Sequence, residues 1–228
     1  MNVEELFNRI DFKDDNERCE ALFYVNMKGI YLHSLIVDYL SKDSNKTKVS
    51  WKQVSDELRN DKGLKDTLYI YLATLEEYIR AYISNKYQDI TNQPFWINGK
   101  GERNSIKDKI KEKIPLFEIL QEVDFGTLIK QVHNLPQSNI KELFGDVATD
   151  ENLQAVKELR NCIGHHKFLK TYEFKMCTVN GNKSNSLENN IKNLIQLLPE
   201  RYRYGKNGDG GIIVDMRRHR VNIWMEMS

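Results

Sequence analysis

The chain is short of cysteine, proline and long apolar runs, and each shortage excludes something. Its three cysteines, Cys19, Cys162 and Cys177, form no CxxC pair. An odd count without a close pair argues against a disulfide framework and fits a reducing compartment. Only 4 prolines and 12 glycines interrupt 228 residues, which rules out collagen-like and low-complexity classes. No apolar run approaches the ~20 residues needed to span a bilayer. The first fifteen residues mix charged with apolar side chains and lack a basic-then-apolar signal pattern. These absences predict a cytoplasmic protein with no membrane partner. An excess of one charge sign is missing too: 34 Lys+Arg face 33 Asp+Glu, a net +1. Bulk charge therefore does not point to nucleic acid, and a local basic patch or a dimer groove would have to supply the contact.

What remains is helical. Hydrophobic residues make up 40% and charged residues 29%, an ordinary folded composition, and the length allows one substantial core. The fold expected is all-α: a single helical-bundle domain over residues 1–228, with a small insertion near 171–184 and an appendage at about 200–228. The spacing predicts a short helix within 1–12 and a long central one at about 15–41, where His33 reads as a satisfied core residue. Ser50 caps a short helix of about ten residues, with Gln53 closing a capping box. A second long helix covers about 61–87, its apolar side marked by Leu64, Leu68, Tyr71, Leu75, Tyr78 and Tyr82.

A loop with Phe95 and Trp96 follows at 91–101, then a lysine-rich helix at about 102–122 bent or divided by Pro115. Its lysines Lys107, Lys109, Lys111 and Lys113 suit a solvated face or a phosphate backbone. Two short helices, 124–134 and 137–145, are split by Pro136. Residues 171–185, with Asn180-Gly181, suit a small hairpin and equally an ordered loop. A last helix runs over about 186–199. The tail 201–211 interleaves Arg with Tyr, which suits stacking and phosphate contact or a plain basic loop.

The stretch with the most chemistry is the helix expected at about 150–169. Asp150 is placed to cap it, and Leu153, Val156, Leu159 and Ile163 form one apolar stripe. At 100° per residue His166 falls on that stripe. Asn161 and His165, four apart, share another face, and Arg160 sits at the stripe's edge with a long reach. Gly164 permits close approach of a neighbour. An outward Arg–Asn–His group suits phosphate: guanidinium grips its oxygens in a fork, and imidazole titrates near working pH.

The run Arg160-Asn161-Cys162-Ile163-Gly164-His165-His166 resembles the RNxxxHH form of the Rx4–6H motif of HEPN-superfamily ribonucleases, closest to their abortive-infection (Abi-like) branch. Softer similarities are Leu75-Glu76-Glu77-Tyr78-Ile79-Arg80 and Phe125-Gly126-Thr127-Leu128-Ile129. Together they span roughly residues 15–170. The resemblance implies a metal-independent endoribonuclease whose site is composed by two chains in a homodimer, so that two His and two Arg face one cleft. It implies His165 as acid/base, Arg160 as the charge on the phosphate, Asn161 as a positioning group and His166 as a support for helix or dimer. Glu77 and Arg80 are candidates for orienting the motif from the early helix, against a plain solvated face with surface ion pairs. RNA is the expected partner, with an antitoxin or regulatory RNA as a further one, in a prokaryotic defence or toxin role.

The 2′-OH of RNA is its own nucleophile, so such an enzyme needs no Ser or Cys nucleophile. No metal or other cofactor is expected either: Cys162, His165, His166 and Cys177 fit no standard zinc spacing. The glycines from 205 to 211 follow no strand and are no phosphate-binding fingerprint. A different class stays open, a non-catalytic RNA-binding or interaction module gripping a phosphate backbone with the same Arg160/His165 face. A helical scaffold with a merely hydrogen-bonded motif is the third.

Overall fold

The computed structural model describes residues 1–44, 47–87, 108–109, 111–206 and 210–219. They form an all-α chain with two sheets of two strands each. The chain packs as two compact units, one of residues 1–67 with 161–173, the other of 68–160 with 174–228. No described helix is long and apolar enough to cross a membrane.

In the first unit α1 (Val3–Phe7) opens on a capping box, in which the Asn2 side chain accepts the Glu5 N–H and the Glu5 carboxylate accepts that of Asn2. β1 (Ile10–Asp11) then pairs in parallel with β2 (Val49–Ser50), matching Ile10 to Val49. The helix expected over 15–41 is two helices, α2 (Asp15–Lys28) and α3 (Ile30–Ser44). The break falls at Gly29, whose φ of 88° and ψ of 144° lie where a side chain is strongly disfavoured. The core gathers Leu6, Phe7, Ile10, Ala21, Val25, Ile36, Val37, Val49, Trp51, Val54 and Phe168. At its centre Trp51 stacks on His33 with ring centroids 6.2 Å apart and donates Nε1–H to Glu20 at 3.0 Å.

Ser50 and Gln53 form the expected capping box, but the helix they open does not stop near residue 60. α4 runs unbroken from Trp51 to Lys86, 36 residues. Gly63 inside it costs about 1 kcal/mol against Ala. Burial of Val54, Leu64 and Leu68, each 4% exposed or less, offsets that loss.

The second unit takes the rest of α4, whose Leu68, Leu72, Leu75, Ile79 and Ile83 form one buried stripe. α5 (Leu116–Glu122) begins directly after Pro115, so the proline starts a helix here rather than bending one. α6 (Phe125–Asn134) and α7 (Gln137–Phe144) follow, divided at Pro136 as expected. Residues 102–107 and 110 of the lysine-rich stretch, with Lys107, the 91–101 loop with Phe95 and Trp96, and residues 220–228 lie outside the described residues. Of the lysines that are described, Lys109 pairs with Glu122 at 2.5 Å and Lys111 with Asp108 at 3.2 Å, as an ordinary surface does.

α8 (Asp150–Gly164) then leads into a hairpin of β3 (Cys177–Val179) and β4 (Asn182–Ser184). Asn180 and Gly181, with φ of 50° and 78°, supply the two left-handed residues of its turn. The chain ends in α9 (Leu187–Leu197), α10 (Glu200–Tyr204) and α11 (Gly211–Arg218). Tyr71 on α4 holds α11 by donating to Asp215 Oδ2 at 2.6 Å.

The hairpin is fixed by amide side chains. Asn152 on α8 accepts the Thr178 N–H at 2.8 Å and returns a bond to the Thr178 carbonyl at 3.0 Å. Gln196 on α9 donates to that same carbonyl at 3.1 Å, and Asn189 donates to the Cys177 and Ser184 carbonyls. Each of these amides is buried and would be costly without such partners. The Cys177 thiol is pushed up to about 11 by burial, so it is an inert, packed thiol.

Candidate functional site

α8 starts at the residue expected to cap it. Thr149 Oγ1 accepts the Asn152 N–H at 3.2 Å, so Thr149 takes that place and Asp150 becomes the first helical residue. Asp150 is used otherwise: it accepts the Nδ1–H of His133 at 2.7 Å, while Gln154 donates to His133 Nε2 at 3.2 Å. His133, a residue the sequence did not single out, is thus held at both nitrogens and ties the end of α6 to the start of α8. Leu153, Val156, Leu159 and Ile163 are buried, the stripe the spacing gives.

The other end of α8 departs from expectation. The helix stops at Gly164 instead of about 169. His165 N–H bonds Asn161 O at 2.9 Å, His166 N–H bonds Ile163 O at 3.0 Å, and Lys167 N–H bonds Cys162 O at 3.1 Å. That set is a Schellman cap, and its left-handed residue is His166, with φ 55°. His166 therefore does not extend the apolar stripe; it is exposed, as are His165 and Lys167. The cause lies just beyond. Had the helix continued, Phe168 would stand about 60° beyond Leu153, off the buried arc. The turn re-aims it, leaving Phe168 2% and Leu169 1% exposed, with Phe168 edge-on to Tyr39 at 5.8 Å.

The structure thus brings His165, His166 and Lys167 together on one exposed turn, with Asn161 half-buried one helical turn before it. Arg160, half-buried, precedes them in the other compact unit. An ideal helix separates positions 160 and 165 by about 140°, and 161 and 165 by about 40°. Asn161 is the residue that shares a face with His165. Lys167 lies over the Tyr172 ring, 4.7 Å from its centroid.

Three residues of α4 hold this turn from below, and none of them stood out in the sequence. Lys65 Nζ donates to the His166 carbonyl at 3.3 Å, Asp61 Oδ1 accepts the Leu169 N–H at 3.0 Å, and Glu57 pairs with Lys170 at 2.9 Å. Lys65 and Asp61 also pair with each other. Burial opposes the charge of Lys170, but the hydrogen bond and charge of Glu57 outweigh it and raise the lysine's pKa. A signal for this group did exist. Glu57, Asp61 and Lys65, spaced by four, lie on the same helical arc as Val54, Leu64 and Leu68. Charges in the middle of an apolar stripe have to find partners.

The acids and arginine of the early helix belong to the second unit. Arg80 pairs with Glu76 and donates to the Val123 carbonyl at 2.6 Å, so it caps α5 within the second unit. Glu77 is exposed to solvent. Cys162 is fully buried whereas His165 and His166 are exposed, and no group of three or more His, Cys, Asp or Glu among the described residues is arranged to hold a metal ion.

Comparison with models of known protein families, with curated proteins and with solved structures finds no match to this chain.

Proposed function

We propose that the chain is a metal-independent endoribonuclease of a prokaryotic defence or toxin system, acting as a homodimer with a composite Arg/His site. The observation that carries this reading is the turn ending α8: it exposes His165 beside His166 and Lys167, five residues after Arg160, in an all-α chain. In this reaction a base takes the proton of the RNA 2′-OH, whose oxygen attacks the adjacent phosphorus. The P–O5′ bond breaks, an acid protonates the leaving 5′-oxygen, and the ends are a 2′,3′-cyclic phosphate and a 5′-hydroxyl. His165 of one chain is the base and His165 of the second chain the acid. Arg160 neutralises charge growing on the phosphorane. Asn161, on the face of His165, orients the phosphate, and His166 supports the turn.

The runner-up is an RNA-binding module using the same face. Lys167 and the two exposed imidazoles suit phosphate contact whether or not the bond is cut. A short labelled RNA and a copy carrying one 2′-deoxynucleotide at the cut position separate the two. Cleavage of the first with cyclic-phosphate ends, and none of the second, supports the enzyme. Equal binding of both with neither cut supports the module. Cleavage of both would remove the 2′-OH mechanism.

A further inference from the structure

We propose that Asp61 and Lys65 are positioning residues for the His165–His166 turn, fixing the backbone that presents the two imidazoles. The catalytic consequence rests on the ribonuclease reading; the mechanical part stands without it.

The two residues are 7% and 8% exposed, and Glu57 one turn earlier is 7% exposed. Burying an ion pair gives little net stability, since desolvation consumes most of the attraction. Apolar residues would fill those positions of α4 at no loss to the core. What they could not supply is hydrogen bonds, and those these residues make outside α4 go to one short segment. The ammonium of Lys65 reaches the carbonyl of His166, which the Schellman cap leaves without a helical partner. The second oxygen of Asp61 takes the N–H of Leu169. Glu57 adds the side chain of Lys170. Positions 65, 61 and 57 thus descend α4 as the segment climbs through 166, 169 and 170, and each contact falls one turn from the last.

The turn has reason to need this. His166 holds a left-handed backbone, which disfavours a residue with a Cβ. Phe168 and Leu169 anchor the downstream side by burial. Between the buried Ile163 and Phe168 the turn itself, residues 164–167, carries only exposed side chains, so the polar contacts to α4 are what hold its backbone at the angle at which His165 leaves the helix.

The test uses the full chain with Lys65→Met, Asp61→Asn and the conservative Lys65→Arg. Limited trypsin digestion reads opening of the turn at Lys167, with the exposed Lys52 as internal control. Lys65→Met is expected to be cut at Lys167 about tenfold faster than wild type, with Lys52 unchanged and Lys65→Arg close to wild type. On RNA the same variant is expected to lose kcat about tenfold with KM held within about twofold. Cutting at Lys167 as slow in Lys65→Met as in wild type overturns the proposal. So does a faster cut with kcat intact, which leaves the pair structural only. Should Lys65→Met not fold, Asp61→Asn decides: it keeps an acceptor for Leu169 but discharges the pair, and a Lys167 rate equal to wild type overturns the proposal. A wild-type chain that leaves RNA whole defeats the ribonuclease reading alone, and the trypsin rates still decide the brace.

Discussion

His33 and His165 show what environment does to one residue type. His33 is fully buried in α3, its Nδ1–H donated to the Gly29 carbonyl at 2.9 Å, and its Nε2 has no hydrogen-bond partner. Burial, with Lys28 adding to it, outweighs that bond and lowers the imidazole pKa. The unfolded chain thus takes up this proton first as pH falls below about 6.5, so the contribution of His33 to stability is present above that pH and lost beneath it. Thermal unfolding checks this. The wild-type Tm should decline more steeply than that of His33→Asn as pH drops from about 6.5 toward 5, and parallel curves would contradict it. The sequence marked His33 as a core residue because apolar neighbours surround it in a helix. It could not show that one ring nitrogen has no partner, since that depends on which carbonyl and which ring come near.

At the scale of elements, the local rules that involve few residues were legible and the ones that depend on tertiary contact were not. The Ser50–Gln53 box, the Pro136 division and the Asn180-Gly181 turn each follow from chemistry within four residues, and each stands in the structure. Helix ends decided by burial elsewhere were missed. α8 stops at Gly164, and the turn after it carries Phe168 into the core, while α4 runs through Gly63 because its stripe continues. Glu57, Asp61 and Lys65 stand on an apolar arc, but the partners they find are set by the 166–170 segment packed against them. Gly29 is the element-scale feature most open to test. A methyl group there meets nothing within 4 Å, so only its backbone angle objects. Gly29→Ala should therefore lose ~1–3 kcal/mol in urea unfolding, and a loss near zero would mean that the α2–α3 junction relaxes freely.

For the molecule as a whole, the proposed function requires a chain of net charge +1 to grip a polyanion through one local site. With a net charge of +1, affinity has to come from residues gathered at a groove, and a dimer doubles whatever one turn offers. In the proposed mechanism one His165 and one Arg160 are too few to hold base, acid and phosphate charge together, and a second chain would supply the other pair. Of the candidate site residues, the exposure of His165 and the face it shares with Asn161 were legible from helical spacing. His166 was assigned the wrong surroundings, since its left-handed turn cannot be read from helical periodicity. The most direct measurement incubates mixed cellular RNA in EDTA with the wild-type chain, Arg160→Ala and His165→Ala. Cleavage by the wild type is expected despite the chelator, with at least ~100-fold less by either variant, the usual scale for losing an acid/base or an oxyanion charge. Cleavage that EDTA abolishes, or that His165→Ala retains, would contradict the proposed function.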